Sequence, residues 1–199
     1  DLHSFPTRRS SDLTNVQCIN TETILGIVYQ GVNWKEDRLS SLSILPWMDG
    51  YEDNLPKDVS ANTTAEAQVA AAKKTLEDAG YELGSDGYYA KEGKQVAFGF
   101  TTIGDSNVTK NRAAAIQKMA KDAGMNITID NKPSSDFSKT LVGGQWDVFL
   151  LGWSCSSATY NNGGQLFGST SESNFTHAGS KELDAKFLAV TGKIGRAHV

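Results

Sequence analysis

Cysteine is scarce in this chain: Cys18 and Cys155 are the two among 199 residues, and no C-x-x-C spacing occurs. Neither a disulfide framework nor a thiolate zinc site is supported by such usage. Histidine is almost as scarce, and since His3 and His198 stand at the extreme ends, His177 is the imidazole left for acid–base chemistry in the body of the chain. No run approaches the roughly eighteen apolar residues that would span a bilayer, and the first residues lack the apolar core of a secretion signal. Basic runs stop at the pairs Arg8-Arg9 and Lys73-Lys74. With a formal charge of -4 and a pI near 5.4, there is no concentrated basic face for nucleic acid. Neither G-x-x-x-x-G-K nor G-x-G-x-x-G precedes a helix, so phosphate-cradling loops are missing, and Asp130, Asp136 and Asp147 are too scattered for a calcium loop. No cofactor, no metal and no nucleic-acid partner are expected.

What is present is enough apolar material for a real core. Hydrophobic residues make up 39% and charged residues 21%, which suits one domain, or one lobe of something larger, rather than a disordered chain. The two ends are set apart. Residues 1–13, from Asp1 to Leu13, resemble the conceptual translation of a sequencing adapter, and residues 194–199, from Ile194 to Val199, resemble the opposite adapter. Both are treated as scars, so the folded sequence is expected over 14–193, with the reading frame continuing on either side.

Apolar spacing predicts a helix over 16–30, with Asn20 or Thr21 as its cap and Gly31 as its end. Residues 32–56, rich in Pro, Ser, Asp and Asn and anchored by Trp34, Leu45, Trp47 and Tyr51, read as a long ordered loop. Thr63 and Glu66 have capping-box spacing for a helix to Ala79, stopped by Gly80-Tyr81, and Glu92-Gly93 suggests a small hairpin. Then strand and helix alternate: a strand over 96–102, a helix over 113–123 ended by Gly124, a strand over 125–129, a helix over 134–142 with Phe137 and Leu141 inward, and a strand over 146–152. The run Val148-Phe149-Leu150-Leu151 is apolar on both faces, as in a strand covered by helices on both sides. The unit therefore reads as β-α-β-α-β with a parallel sheet, followed by a helix from Ser180 to Val190.

Ligands of open parallel sheets meet the loops at the carboxyl ends of the strands. The loop after the third strand holds Trp153, Ser154, Cys155, Ser156, Tyr160 and Asn161: a stacking face beside small uncharged hydrogen-bonding groups, suited to a peptide-like or polar neutral ligand. The plainer reading is that Trp153 plugs the end of the sheet and the rest is a solvated loop. Gly152-Trp153-Ser154-Cys155-Ser156 also invites comparison with the G-x-S-x-G nucleophile elbow, but the fifth residue is Ser, no helix former follows, and His177 is the single base within the body of the chain. Cys155 would depend on the same histidine.

Ala123-Gly124-Met125-Asn126-Ile127, Phe137 with Leu141, Trp146 through Trp153, and Ser180 through Asp184 together resemble, in order and spacing, the dipeptide and oligopeptide solute-binding family of ABC importers. Ile19 through Ile24, Tyr29-Gln30-Gly31 and Gly50 through Asn54 are similar to that family's carboxyl-terminal lobe, so the likeness covers nearly all of 16–190. The resemblance implies an α/β fold: one lobe of a periplasmic-binding-protein-like (type II) clamshell, with a mostly parallel sheet and flanking helices. It implies capture of a peptide or other small polar solute by lobe closure and delivery to ABC permease subunits. The setting would be extracytoplasmic, either periplasm or cell-surface lipoprotein, with the membrane reached only through a lipid anchor or the permease. Such a protein is not an enzyme. Trp153, Ser154, Ser156, Tyr160 and Asn161 would line the ligand cleft, with Tyr51 nearby. Many relatives carry an Asp that holds a peptide's amino terminus where this chain has Ser156, so an ammonium pair is not available from that position. Two alternatives remain: a serine-type hydrolase using Ser154, and a surface domain that binds no ligand.

Overall fold

A computed structural model of the chain describes residues 17–33, 64–151 and 163–196, with side chains to residue 189 in the last stretch. Two units divide the chain: 1–38, 55–140 and 145–151 form the first, and 39–54, 141–144 and 152–199 the second. The expected loop over 32–56 lies almost wholly outside the described residues.

In the first unit, helix α1 (Thr21–Val28) begins where Asn20 Oδ1 accepts the Thr23 amide at 2.8 Å, and the chain turns away at Gly31, φ 84°. Helix α2 (Ala65–Asp78) is capped by Thr64, one residue later than the box spacing suggests. Thr64 sits in extended backbone and its Oγ1 accepts the Ala67 amide at 3.1 Å. The stop signal is as expected: Gly80 takes φ 81°, its amide reaches Glu77 O at 2.9 Å, and the Tyr81 amide reaches Leu76 O at 3.0 Å.

Three short antiparallel strands follow, β1 (Glu82–Leu83), β2 (Tyr89–Lys91) and β3 (Lys94–Gln95), in the order β1-β2-β3. Glu92 (φ 52°) and Gly93 (φ 74°) make the expected hairpin turn, both in the left-handed region that matches strand twist. Strand β1 was not anticipated, because two residues carry no periodicity.

The main sheet contains β4 (Ala97–Ile103), β5 (Asn126–Lys132) and β6 (Val148–Phe149), all parallel in the order β5-β4-β6. Helix α3 (Asn107–Asp122) links β4 to β5; a 3-10 turn (Ser134–Asp136) and helix α4 (Phe137–Gly143) link β5 to β6. The β-α-β-α-β reading is therefore correct in order and direction. Its third strand is shorter than expected, since Asp147 Oδ2 accepts the Gly99 amide at 2.8 Å and so occupies the ladder position ahead of Val148. Helix α3 starts six residues earlier than expected, at a cap made by Ser106 Oγ with the Thr109 amide, 3.1 Å.

Register sorts the two faces. Phe98 and Phe100 stand level with Ile127 and Ile129, and Phe100 with Val148, on the face that joins Ala72 and Leu76 of α2 and Ala113, Ile116, Met119 and Ala120 of α3 in the core. Helix α1 lies against α3, with the Asn20 amide donating to Met119 Sδ at 3.2 Å. On the opposite face Phe149 meets Phe137 edge-on at 6.2 Å and Trp146 at 5.6 Å, while Thr128 is exposed. Among the described residues, α2 and α3 cover the first face, and Phe137 of α4 packs on the second. Phe137, expected to face inward, is 37% exposed, whereas Leu141 is buried.

In the second unit, α5 (Gly163–Phe167) and α6 (Lys181–Arg196) pack together, with Gly164 facing Phe187. Ser180 Oγ caps α6 at the Leu183 amide, 3.1 Å, as expected, but the helix runs past Val190. Asp184 of α6 accepts from both the amide (2.8 Å) and the hydroxyl of Ser169, tying the intervening loop to the helix. Helix α5 opens on Gly163-Gly164, which runs against helix propensity and gives no helix signal in the sequence.

Candidate functional site

The carboxyl ends of the parallel strands gather a polar group of side chains. Thr102, buried near the end of β4, donates its hydroxyl to Asn131 Oδ1 of β5 at 2.8 Å, fixing the amide. Asn131 Nδ2 in turn reaches Asp105 Oδ1 at 3.5 Å, and Lys110 Nζ of α3 stands 3.7 Å from the same oxygen. The turn that presents Asp105 is held by Gly104, whose amide donates to Lys132 O at 2.9 Å with φ 92°. A Cβ on Gly104 would come within 3.3 Å of Ser134 Oγ, the first residue past Pro133 at the end of β5. Beside this group Lys132 pairs with Asp130 at 3.0 Å. The edge thus gathers hydroxyl, amide, carboxylate and ammonium groups at the ends of two paired strands. Nothing in it has the geometry of a nucleophile paired with a base.

The residues expected to line the cleft, Trp153, Ser154, Ser156, Tyr160 and Asn161, lie outside the described residues, as do Tyr51 and Cys155. The described chain reaches Leu151, with the Leu150 amide still donating to Thr101 O at 3.1 Å. His177 is exposed at φ 54°, its amide donating to Asn174 O at 3.3 Å. Cys18 is buried, and desolvation pushes its thiol up to about 12, which keeps it protonated and unreactive. Among the described residues no three His, Cys, Asp or Glu side chains come together as metal ligands, and no helix is long and apolar enough to cross a membrane. Thr102, Asp105, Lys110 and Asn131 were not singled out from sequence. For Thr102, Asp105 and Asn131 the available signal was their position near strand ends.

Residues 17–175 match the family described as bacterial extracellular solute-binding proteins, family 5 Middle. The chain belongs to that family. It is 26% identical over 168 residues to the oligopeptide-binding protein OppA of Mycobacterium bovis and of Mycobacterium tuberculosis, an alignment that takes in 84% of this chain and 27% of theirs. The chain therefore spans about a quarter of the length of these curated relatives. Among solved structures, the periplasmic EDTA-binding protein EppA superposes with a TM-score of 0.72 at 20% identity, over 97% of this chain and 35% of that one. The oligopeptide-binding protein AppA of Bacillus subtilis, in complex with a nonapeptide, superposes at 0.62 and 17% identity, over 89% of this chain and 34% of that one. At such identities the likeness shows the fold, an α/β lobe of the periplasmic-binding-protein kind, as the sequence resemblance implied. These relatives are binding proteins rather than enzymes.

Proposed function

We propose that this chain is part of the extracytoplasmic solute-binding component of an ABC importer and captures a peptide or a related small polar solute without transforming it. The observation that carries this reading is the family match across 17–175, joined to relatives named for binding oligopeptides. The solute would meet the carboxyl edge of the main sheet and the segment after β6, with Trp153 stacking on it and Ser154, Ser156, Tyr160 and Asn161 hydrogen-bonding to it. A neutral hydroxyl at Ser156 favours solutes that need no ion pair there. Closure of a second lobe over this one would trap the solute, and permease subunits would receive it. Attachment to the membrane would be indirect, by lipid anchor or permease.

The test is to purify the longest natural reading frame that carries this chain, denature it, and identify released small molecules by mass spectrometry. A retained peptide or polar solute, and tryptophan fluorescence that responds to it and loses the response in Trp153→Phe, are the expected results. No released solute from cells grown on several media, with fluorescence unmoved by peptides, would overturn the reading. Esterase activity abolished by both Ser154→Ala and His177→Ala would put a hydrolase in its place.

A further inference from the structure

Among the described residues, Arg112 of α3 holds the one buried side-chain donor without an acceptor: its Nε is closed off from solvent and bonds to nothing. The carboxylates at the two ends of the helix are taken by its lysines, Asp105 by Lys110 and Asp122 by Lys118. A guanidinium keeps its proton at any pH a protein meets, so Arg112 cannot shed the cost of burial by becoming neutral, as a buried lysine or histidine does. Its position shows where an acceptor could enter. Val108, Arg112, Ile116 and Met119 share one face of α3, at spacings of four and three residues. Ile116 and Met119 are buried in the core, whereas Val108 is 43% exposed. Arg112, half-buried, thus stands where the cover over this face ends, with an apolar side chain open one turn away.

We infer that this end of α3 is an interaction surface, at which Arg112 receives a carboxylate from a segment of the same polypeptide outside residues 1–199. Charge complementarity sets the chemistry of the occupant: an Asp or Glu offers a guanidinium two oxygens, and an apolar residue next to it covers Val108. Length sets the source. The alignment with OppA takes in 27% of that protein, and the superposition on EppA takes in 35% of that chain, so most of such a polypeptide lies beyond the part that contains α3. A solute that comes and goes would leave the guanidinium unpaired in the empty protein, whereas a segment of the same polypeptide satisfies it throughout. The contact holds that segment against α3 whatever solute is bound.

The sign of one substitution separates a paired Arg112 from an unpaired one. In the longest natural reading frame carrying this chain, Arg112→Met keeps an unbranched side chain and removes the charge. Where a carboxylate sits on Arg112 the substitution strands it, and the thermal midpoint is expected to fall by about 3–8 °C. Where there is no partner the substitution removes an unmet donor, and the midpoint stays or rises. The partner is located with Arg112→Lys and a water-soluble carbodiimide, which condenses the introduced amine with an adjoining carboxylate, followed by mass mapping of the joined peptides from the monomer. The expected result is a join, absent from wild type, between position 112 and an Asp or Glu beyond residues 1–199. A join within residues 1–199, to a second copy or to a retained solute overturns the inference, and so does the absence of any join or a midpoint that stays or rises in Arg112→Met. Solute capture is read separately, from the molecules released on denaturation, so the two readings fail independently.

Discussion

The ring of Tyr89 stands where a side chain on Gly124 would have to be: an ideal Cβ there lies 2.5 Å from Tyr89 Cδ2. The same two residues are joined by the Tyr89 amide donating to Gly124 O at 2.8 Å, so the small antiparallel sheet is pinned to the end of α3 at this point. Gly124 also takes φ 80°, where a Cβ is disfavoured.

Gly124→Ala should therefore cost about 2–4 kcal/mol, combining left-handed backbone strain with overpacking. Urea unfolding measures it. In a Tyr89→Ala background the ring is gone, and the added cost should fall to about 1–2 kcal/mol, the backbone part alone. Equal costs in the two backgrounds would mean that the ring gives way freely.

Tyr89 donates its phenol to Glu77 Oε1 at 2.6 Å and is 1% exposed. Burial first, and then the Glu77 carboxylate, push its ionisation up to about 12. The folded value lies above that of an unfolded tyrosine, near 10, so its contribution is complete below about pH 10 and is lost as pH rises toward 12. Burial raises Tyr81 in the same direction, which adds to the fall. Melting temperature should be flat from about pH 7 to 9 and drop above 10, with a shallower drop in Tyr89→Phe.

Asn20 is buried and well bonded: Oδ1 accepts from Thr23, Nδ2 donates to Gln68 Oε1 at 2.8 Å, and its backbone amide donates to Met119 Sδ. Asn20→Ala removes a helix cap and strands the Gln68 carbonyl, for an expected cost of about 2–3 kcal/mol in chemical denaturation. Asn20→Asp keeps the cap but turns a carboxylate toward Gln68 Oε1, so it should not restore full stability.

Cys18 should resist iodoacetamide at pH 8 in the folded chain and react once urea unfolds it, as read by peptide mass mapping. Its raised thiol and 1% exposure leave almost no thiolate at the surface. Fast labelling of native Cys18 would show that α1 opens away from the core.

Much of the architecture was legible because its signals are local. Gly80 and Gly124 end their helices with φ near 80°, Ser180 and Asn20 cap theirs, and the Glu92-Gly93 turn closes its hairpin. Each depends on residues within one turn of chain. The missed details depend on distant groups. The stretch from Trp146 to Gly152 has the composition of a longer strand, yet Asp147 takes the Gly99 amide with its side chain and the ladder begins only at Val148. Phe137 has the spacing of an inward residue, but its neighbour across the sheet is the edge of Phe149, which leaves it 37% exposed. Gly163-Gly164 opposes a helix locally and forms one, in a short helix that packs against α6.

The amino-acid sequence by itself determined the alternation of strands and helices, most of their ends, and the family, since periodicity, capping and motif order are properties of neighbouring residues. Tertiary structure alone decided the strand order β5-β4-β6 and, with it, the company that Asp105 keeps. Asn131 lies twenty-six positions away in sequence, and only the parallel register of β4 against β5, which sets Thr102 level with Asn131, brings its amide to the turn where Asp105 stands.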